Sequence, residues 1–167
     1  EIYTGEDTLS YTTLSDLKTI YPQGFAEALK DEIRAMANLA LTKDEALFLA
    51  RELPYLPPTY IDFVRGFRFD PEEVQVKQDE EGRLSITAEG LLYRVTLWET
   101  PLLALISELY FRMTGAEPDM PYAEETIIRK ARLLREHGIT FSMFGMRRRF
   151  SAYLEERVTE LLKEHSG

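Results

Sequence analysis

Apolar residues recur at three- and four-residue steps through Phe25, Leu29, Ile33, Met36 and Ala40, with Glu27, Lys30, Asp31 and Arg34 between them. That period predicts an amphipathic helix opened by Gly24. Before it, residues 1–22 are polar and β-leaning, and Thr8 to Leu14 read as an edge strand. Thr42 with Glu45 three positions on forms a capping box, and Ala46, Leu49, Ala50 and Leu53 follow it at helical spacing. Pro54, Pro57 and Pro58 then punctuate the chain, with Pro58 placed as the first residue of a helix through Tyr60 to Val64.

The period then shortens to two. Val74 and Val76 alternate with polar neighbours, Asp79-Glu80-Glu81-Gly82 turns the chain, and Leu84, Ile86 and Ala88 alternate on the return, as in a hairpin. Tyr93, Val95 and Leu97 predict a third alternating strand after Gly90. Pro101 opens a strongly apolar helix whose stripe is Leu102, Leu105, Ile106, Leu109 and Met113, wide enough for a central element packed on the sheet. Asp119 and Pro121 start a further helix with Ile127, Ile128, Ala131 and Leu134 inward, and His137-Gly138 end it. A short extended piece from Ile139 to Ser142 leads to Phe144-Gly145-Met146-Arg147-Arg148-Arg149-Phe150. Ser151 then caps a last helix carrying Leu154, Val158, Leu161 and Leu162 on one face. No repeat or linker interrupts this order. The expectation is one α+β domain over residues 1–167, a small antiparallel sheet packed with several helices.

Composition narrows the classes. With 29 Asp+Glu against 20 Lys+Arg, the net charge of −9 argues against general nucleic-acid binding, because phosphate backbones need clustered cations. The chain has no Cys, so neither a disulfide framework nor thiolate chemistry is available to it. No apolar run approaches the roughly 20 residues that span a bilayer. The opening residues are polar, so the expected location is the cytoplasm.

Most chemical signatures are missing. His137 and His165 have no ligand-spaced partners, and at helix ends they read as dipole-stabilising residues. There is no phosphate loop, zinc constellation or nucleophile elbow. Glu72-Glu73 and Asp79-Glu80-Glu81 fall in predicted turns, where solvated charge is the plain reading. The exception is Arg147-Arg148-Arg149, a block of positive charge in an acidic chain just before a helix N-terminus. Guanidinium forks and helix N–H groups both suit an anion, and Phe144 with Gly145 adds a ring face and a close backbone approach. The same arginines could instead pair with the surplus carboxylates, with Phe144 in the core. Both readings are open at this stage.

The segment Phe141 to Ser151 resembles the F-G-x-R-R-R-F-S signature of bacterial nicotinate phosphoribosyltransferases. Phe25 to Leu29, Leu53 to Phe63, and Leu97 to Tyr110 are similar to the same family, in the family's order, so the likeness covers nearly all of residues 20–167. The resemblance implies coupling of nicotinate to phosphoribosyl pyrophosphate, giving nicotinate mononucleotide and pyrophosphate in NAD salvage, with ATP and Mg²⁺ in the complete enzyme. It implies that Phe144 stacks on the pyridine ring. Arg147, helped by Arg148 and Arg149, would hold the phosphoribosyl or carboxylate groups. Met143 and Met146 depart from the pattern, standing where the family often has an acid and a Thr. The family's N-terminal helix has no match, and its phosphoribosyl-binding barrel, catalytic histidine and metal-binding acids lie beyond the stretch matched. The expectation is therefore an enzyme portion inactive alone, as a fragment, one half of a split protein or an engineered domain. Its partner would be a missing barrel chain or, as a homodimer, a second copy. The alternative is a non-catalytic partner-binding domain on the same scaffold.

Overall fold

The structure, a computed structural model, describes residues 8–12 (as backbone), 19–141 and 149–166. Elements follow in the order β1 (Thr8–Thr12), α1 (Phe25–Met36), α2 (Lys43–Glu52), α3 (Pro58–Gly66), β2 (Val74–Gln78), β3 (Leu84–Leu91), α4 (Leu92–Val95), α5 (Glu99–Thr114), α6 (Met120–Glu136) and α7 (Ala152–Ser166). Short 3-10 turns precede β2 at Pro71–Glu73 and join α4 to α5 at Thr96–Trp98. The result is α+β, as the pattern of periods implied.

The antiparallel sheet runs in the order β1-β3-β2, so the longest strand is central. Val74 faces Ala88 and Gln78 faces Leu84 across the β2–β3 hairpin, while Thr8 faces Leu91 and Thr12 faces Thr87 on the other side. The expected edge strand is present over Thr8–Thr12, and its predicted last residues, Thr13 and Leu14, lie outside the described residues. Gly82 closes the hairpin at φ 83°. A Cβ there would stand 2.9 Å from the Ile20 side chain and 3.0 Å from the Tyr21 carbonyl, so both dihedral and space favour glycine. Within the turn, Asp79 accepts from the Arg83 amide and guanidinium, each at 2.7 Å, and this hydrogen bonding lowers its pKa. The turn is thus tied to α1: Tyr21 N–H donates to the Gly82 carbonyl at 2.9 Å. The Gln78 side-chain amide donates to the carbonyls of Tyr21 and Pro22 and accepts from Ala26 N–H.

The main core lies between this sheet, α1 and α5. Phe25, Leu29 and Ile33 of α1 meet Val76 and Ile86 of the sheet and Leu102, Ile106 and Leu109 of α5. Here the three- and four-residue apolar spacing is borne out, except that α1 stops at Met36 and leaves Ala40 exposed. The predicted strand through Tyr93, Val95 and Leu97 does not form. Those residues coil as α4 and the following 3-10 turn, because Leu92, Val95, Trp98 and Leu102 recur at three and four residues. Val95 and Trp98 are fully buried whereas Tyr93 is half exposed, so burial follows the longer period.

Thr42 and Glu45 make the full capping box: Thr42 Oγ1 accepts from Glu45 N–H at 3.2 Å and Glu45 accepts from Thr42 N–H at 2.8 Å. The α2 and α3 helices bury little, only Ala46 being inaccessible. Pro58 opens α3, as expected. Asp119 caps α6, and Ser151 Oγ accepts from Leu154 N–H at 3.1 Å to cap α7, both at their anticipated positions. The α6–α7 pair buries Ala131 and Leu161 and is tied by Arg157 Nε donating to Glu124 at 2.7 Å.

Two outcomes follow. Thr42→Ala removes the cap of a helix with little packing behind it, at about 1 kcal/mol. Amide hydrogen exchange across α2 should accelerate about fivefold while the α5 amides hold their protection. The Arg157 hydrogen bond lowers the pKa of Glu124 below its ordinary 4.5. Stabilisation from this pair is therefore complete above that value and is lost as pH falls through the lower folded value. Acid titration followed by exchange in α6 and α7 should show loosening below about pH 4.5, and Glu124→Gln should abolish that step.

Candidate functional site

At roughly 100° per residue, Leu102, Ile106 and Leu109 share one side of α5, and Ala104, Glu108 and Phe111 lie on roughly the opposite side. The first set faces the main core. Within the second set, Glu108 and Phe111 meet Arg149 and Phe150. Arg149 Nε donates to Glu108 Oε1, with both side chains 23% exposed. One residue on, the Phe150 ring stacks against Phe111, centroids 4.2 Å apart and planes within 15°. Ser151 then caps α7. Consecutive residues thus hold a carboxylate, a ring and a helix start.

The placement of α5 is set at its first turn. Trp98 is fully buried, and its indole N–H donates to Glu73 Oε2 at 2.9 Å. The other carboxylate oxygen of Glu73 accepts from Arg94 Nε at 2.5 Å, which raises the already high pKa of Arg94. Arg94 further donates to the Arg68 carbonyl at 2.9 Å and lies 4.8 Å over the Phe67 ring. Phe69 bridges Phe67 and Trp98. Gly90 lies beside this cluster at φ 156°, a backbone conformation that favours glycine, and a Cβ there would stand 3.2 Å from the Val95 side chain. Glu73 is therefore not the solvated turn charge expected of it. It is largely buried and anchors the domain.

Of the residues singled out from the sequence, Arg149 is placed against Glu108, while Phe144, Arg147 and Arg148 lie outside the described residues, as do Ser142, Gly145 and Met146. The helix N–H groups thought available to an anion are partly committed, since Ser151 takes that of Leu154. His137 stands at the C-terminal end of α6 and His165 in the last turn of α7, where its Nε2 is 3.9 Å from Glu164. Among the described residues, no group of three or more His, Asp or Glu side chains converges as a metal requires. None of the described helices is long and apolar enough to cross a membrane. An open groove of 860 Å³ along α6 is lined by Glu124, Arg129, Arg132 and Leu133, among the described residues.

Sequence reasoning passed over Glu108 and Phe111. Their signal was present: Glu108 is the sole acid between Leu102 and Met113, and Ala104, Glu108 and Phe111 are spaced four and three apart.

A small sheet is covered by α1 and α5, and Arg149 and Phe150 are held on the other side of α5. Residues 14–107 match the model of the nicotinate phosphoribosyltransferase N-terminal domain. The chain belongs to the nicotinate phosphoribosyltransferase family. A nicotinate phosphoribosyltransferase of Chromohalobacter salexigens is 44% identical over 151 residues, covering 88% of this chain and 38% of that protein. The solved nicotinate phosphoribosyltransferase of Porphyromonas gingivalis superposes with a TM-score of 0.91 at 58% identity, covering 96% of this chain and 41% of that one. A solved yeast structure described as a putative nicotinate phosphoribosyltransferase gives a TM-score of 0.82 at 30% identity, over 95% of this chain and 40% of that one. The chain thus spans about two-fifths of the length of these relatives.

The cap gives a direct check on how the segment is held. Ser151→Ala should destabilise the first turn of α7 by about 1 kcal/mol. Exchange of the Leu154 amide should speed up about fivefold, with the α1 amides unchanged.

Proposed function

We propose that this chain is the amino-terminal portion of an enzyme that joins nicotinate to phosphoribosyl pyrophosphate, releasing pyrophosphate and forming nicotinate mononucleotide. The observation that carries the reading is the 58% identity and 0.91 TM-score to the Porphyromonas gingivalis enzyme over nearly the whole chain. In this reading Phe144 stacks on the pyridine ring. Arg147 and its neighbours offset the negative charge of the phosphoribosyl donor or the nicotinate carboxylate. Such a reaction builds positive charge at the ribosyl carbon while pyrophosphate departs, so positioning and charge neutralisation are what arginines can contribute. Mg²⁺ and ATP belong to the complete enzyme in this proposal. Among the described residues no cluster of His, Asp or Glu is suited to holding the metal.

Activity is assigned to the protein at the full length of its relatives, and this portion alone is expected to be inactive. Leu47, Phe48, Tyr55 and Tyr60 on and between α2 and α3 are exposed, surface of the kind that further protein covers. A cytoplasmic location is part of the same proposal.

The test is product formation by the full-length enzyme. Wild type should form nicotinate mononucleotide from nicotinate and phosphoribosyl pyrophosphate. Arg147→Ala should lose about 100-fold in kcat/KM, and Phe144→Ala should raise the KM for nicotinate about tenfold. Absence of product in wild type, or an Arg147→Ala enzyme equal to it, overturns the reading.

A further inference from the structure

We propose that Glu108 of α5 is a positioning residue for the substrate site, and that Arg149 serves Glu108 instead of binding substrate. The inference rests on the phosphoribosyl-transfer reading and refines it, since the family resemblance placed Arg149 among the substrate-binding arginines.

The Arg149 guanidinium is bound through Nε to a carboxylate, and both groups are more than three-quarters withdrawn from solvent. Two partly desolvated charges in contact hold each other, because removing either leaves the other uncompensated. A guanidinium already neutralised in this way is a poor ligand for phosphate, and the adjacent carboxylate repels an incoming anion. Nothing in the pairing resembles a cation held ready for substrate.

The pairing suits alignment. Glu108 and Phe111 are three apart on one side of a helix whose other side is locked into the main core. They engage Arg149 and Phe150, which are consecutive. Two attachments on adjacent residues set both the position and the direction of the backbone, where one would leave it free to swivel. The Ser151 cap follows immediately, so α5 dictates how the chain enters α7. In the phosphoribosyl-transfer reading the substrate arginines immediately precede Arg149 in sequence. The hold of α5 on Arg149 and Phe150 therefore bears on their alignment, and misplacement by about 1 Å costs on the order of 100-fold in rate.

The test is a double-mutant cycle in the full-length enzyme, reading kcat and KM for each substrate together with the melting temperature. Glu108→Gln and Arg149→Gln should each raise the KM for phosphoribosyl pyrophosphate about tenfold, and the double variant should be no worse than either single. Exchanging the charges, Glu108→Arg with Arg149→Glu, should return KM to within about threefold of wild type. A large loss in Arg149→Gln with Glu108→Gln unaffected would make Arg149 a substrate ligand and overturn the proposal. Equal falls in melting temperature with unchanged KM would reduce the pair to a structural tie and overturn it too. Phe111→Leu keeps an apolar side chain while removing the stack, which covers the case of charge variants that do not fold. It should raise the same KM, and an unchanged KM counts against the proposal. A wild-type enzyme that forms no product removes the underlying reading, an outcome separable from all of these.

Discussion

A buried indole needs an acceptor, and Trp98 finds one in Glu73. That single carboxylate also holds Arg94, so the 3-10 turn before β2, α4 and the start of α5 meet at one point. Burying Glu73 without Arg94, or Trp98 without Glu73, would strand a polar group at a cost of a few kcal/mol. Gly90 backs this point, close to Val95 and Glu73. Because Trp98 immediately precedes α5, fixing its ring sets the rotation of that helix.

Helix rotation decides everything downstream. With Leu102, Ile106 and Leu109 turned to the sheet and α1, geometry turns Glu108 and Phe111 the other way. The main core therefore specifies where Arg149 and Phe150 attach, although Glu108 and Phe111 are not among the residues of that core. Structural stability and the placement of the candidate site run through one helix.

The charge balance is spent in the same manner. An acidic chain has carboxylates to spare, and three partly buried arginines use them: Arg94 with Glu73, Arg149 with Glu108, and Arg157 with Glu124. Exposed pairs such as Lys30–Glu27 contribute little. The half-buried ones join elements distant in sequence, and they select which surfaces meet.

Local interactions made much of this legible in advance. Caps at Thr42, Asp119 and Ser151, the proline at α3, the turn at Gly82 and the apolar stripes of α1 and α5 all depend on residues within a few positions of each other. So a linear pattern was enough to place them, and short motifs likewise carried the family. The stretch after Gly90 was not legible, since Tyr93, Val95 and Leu97 satisfy a two-residue period as well as Val95 and Trp98 satisfy a longer one. Burial of Trp98 against Glu73, 25 residues away, broke the tie. Likewise, the sequence presented Arg149 as one of three equivalent arginines and left open whether it met an anion or a carboxylate. Only the tertiary structure could choose, because the choice depends on a carboxylate 41 positions earlier whose direction is set by how α5 is packed.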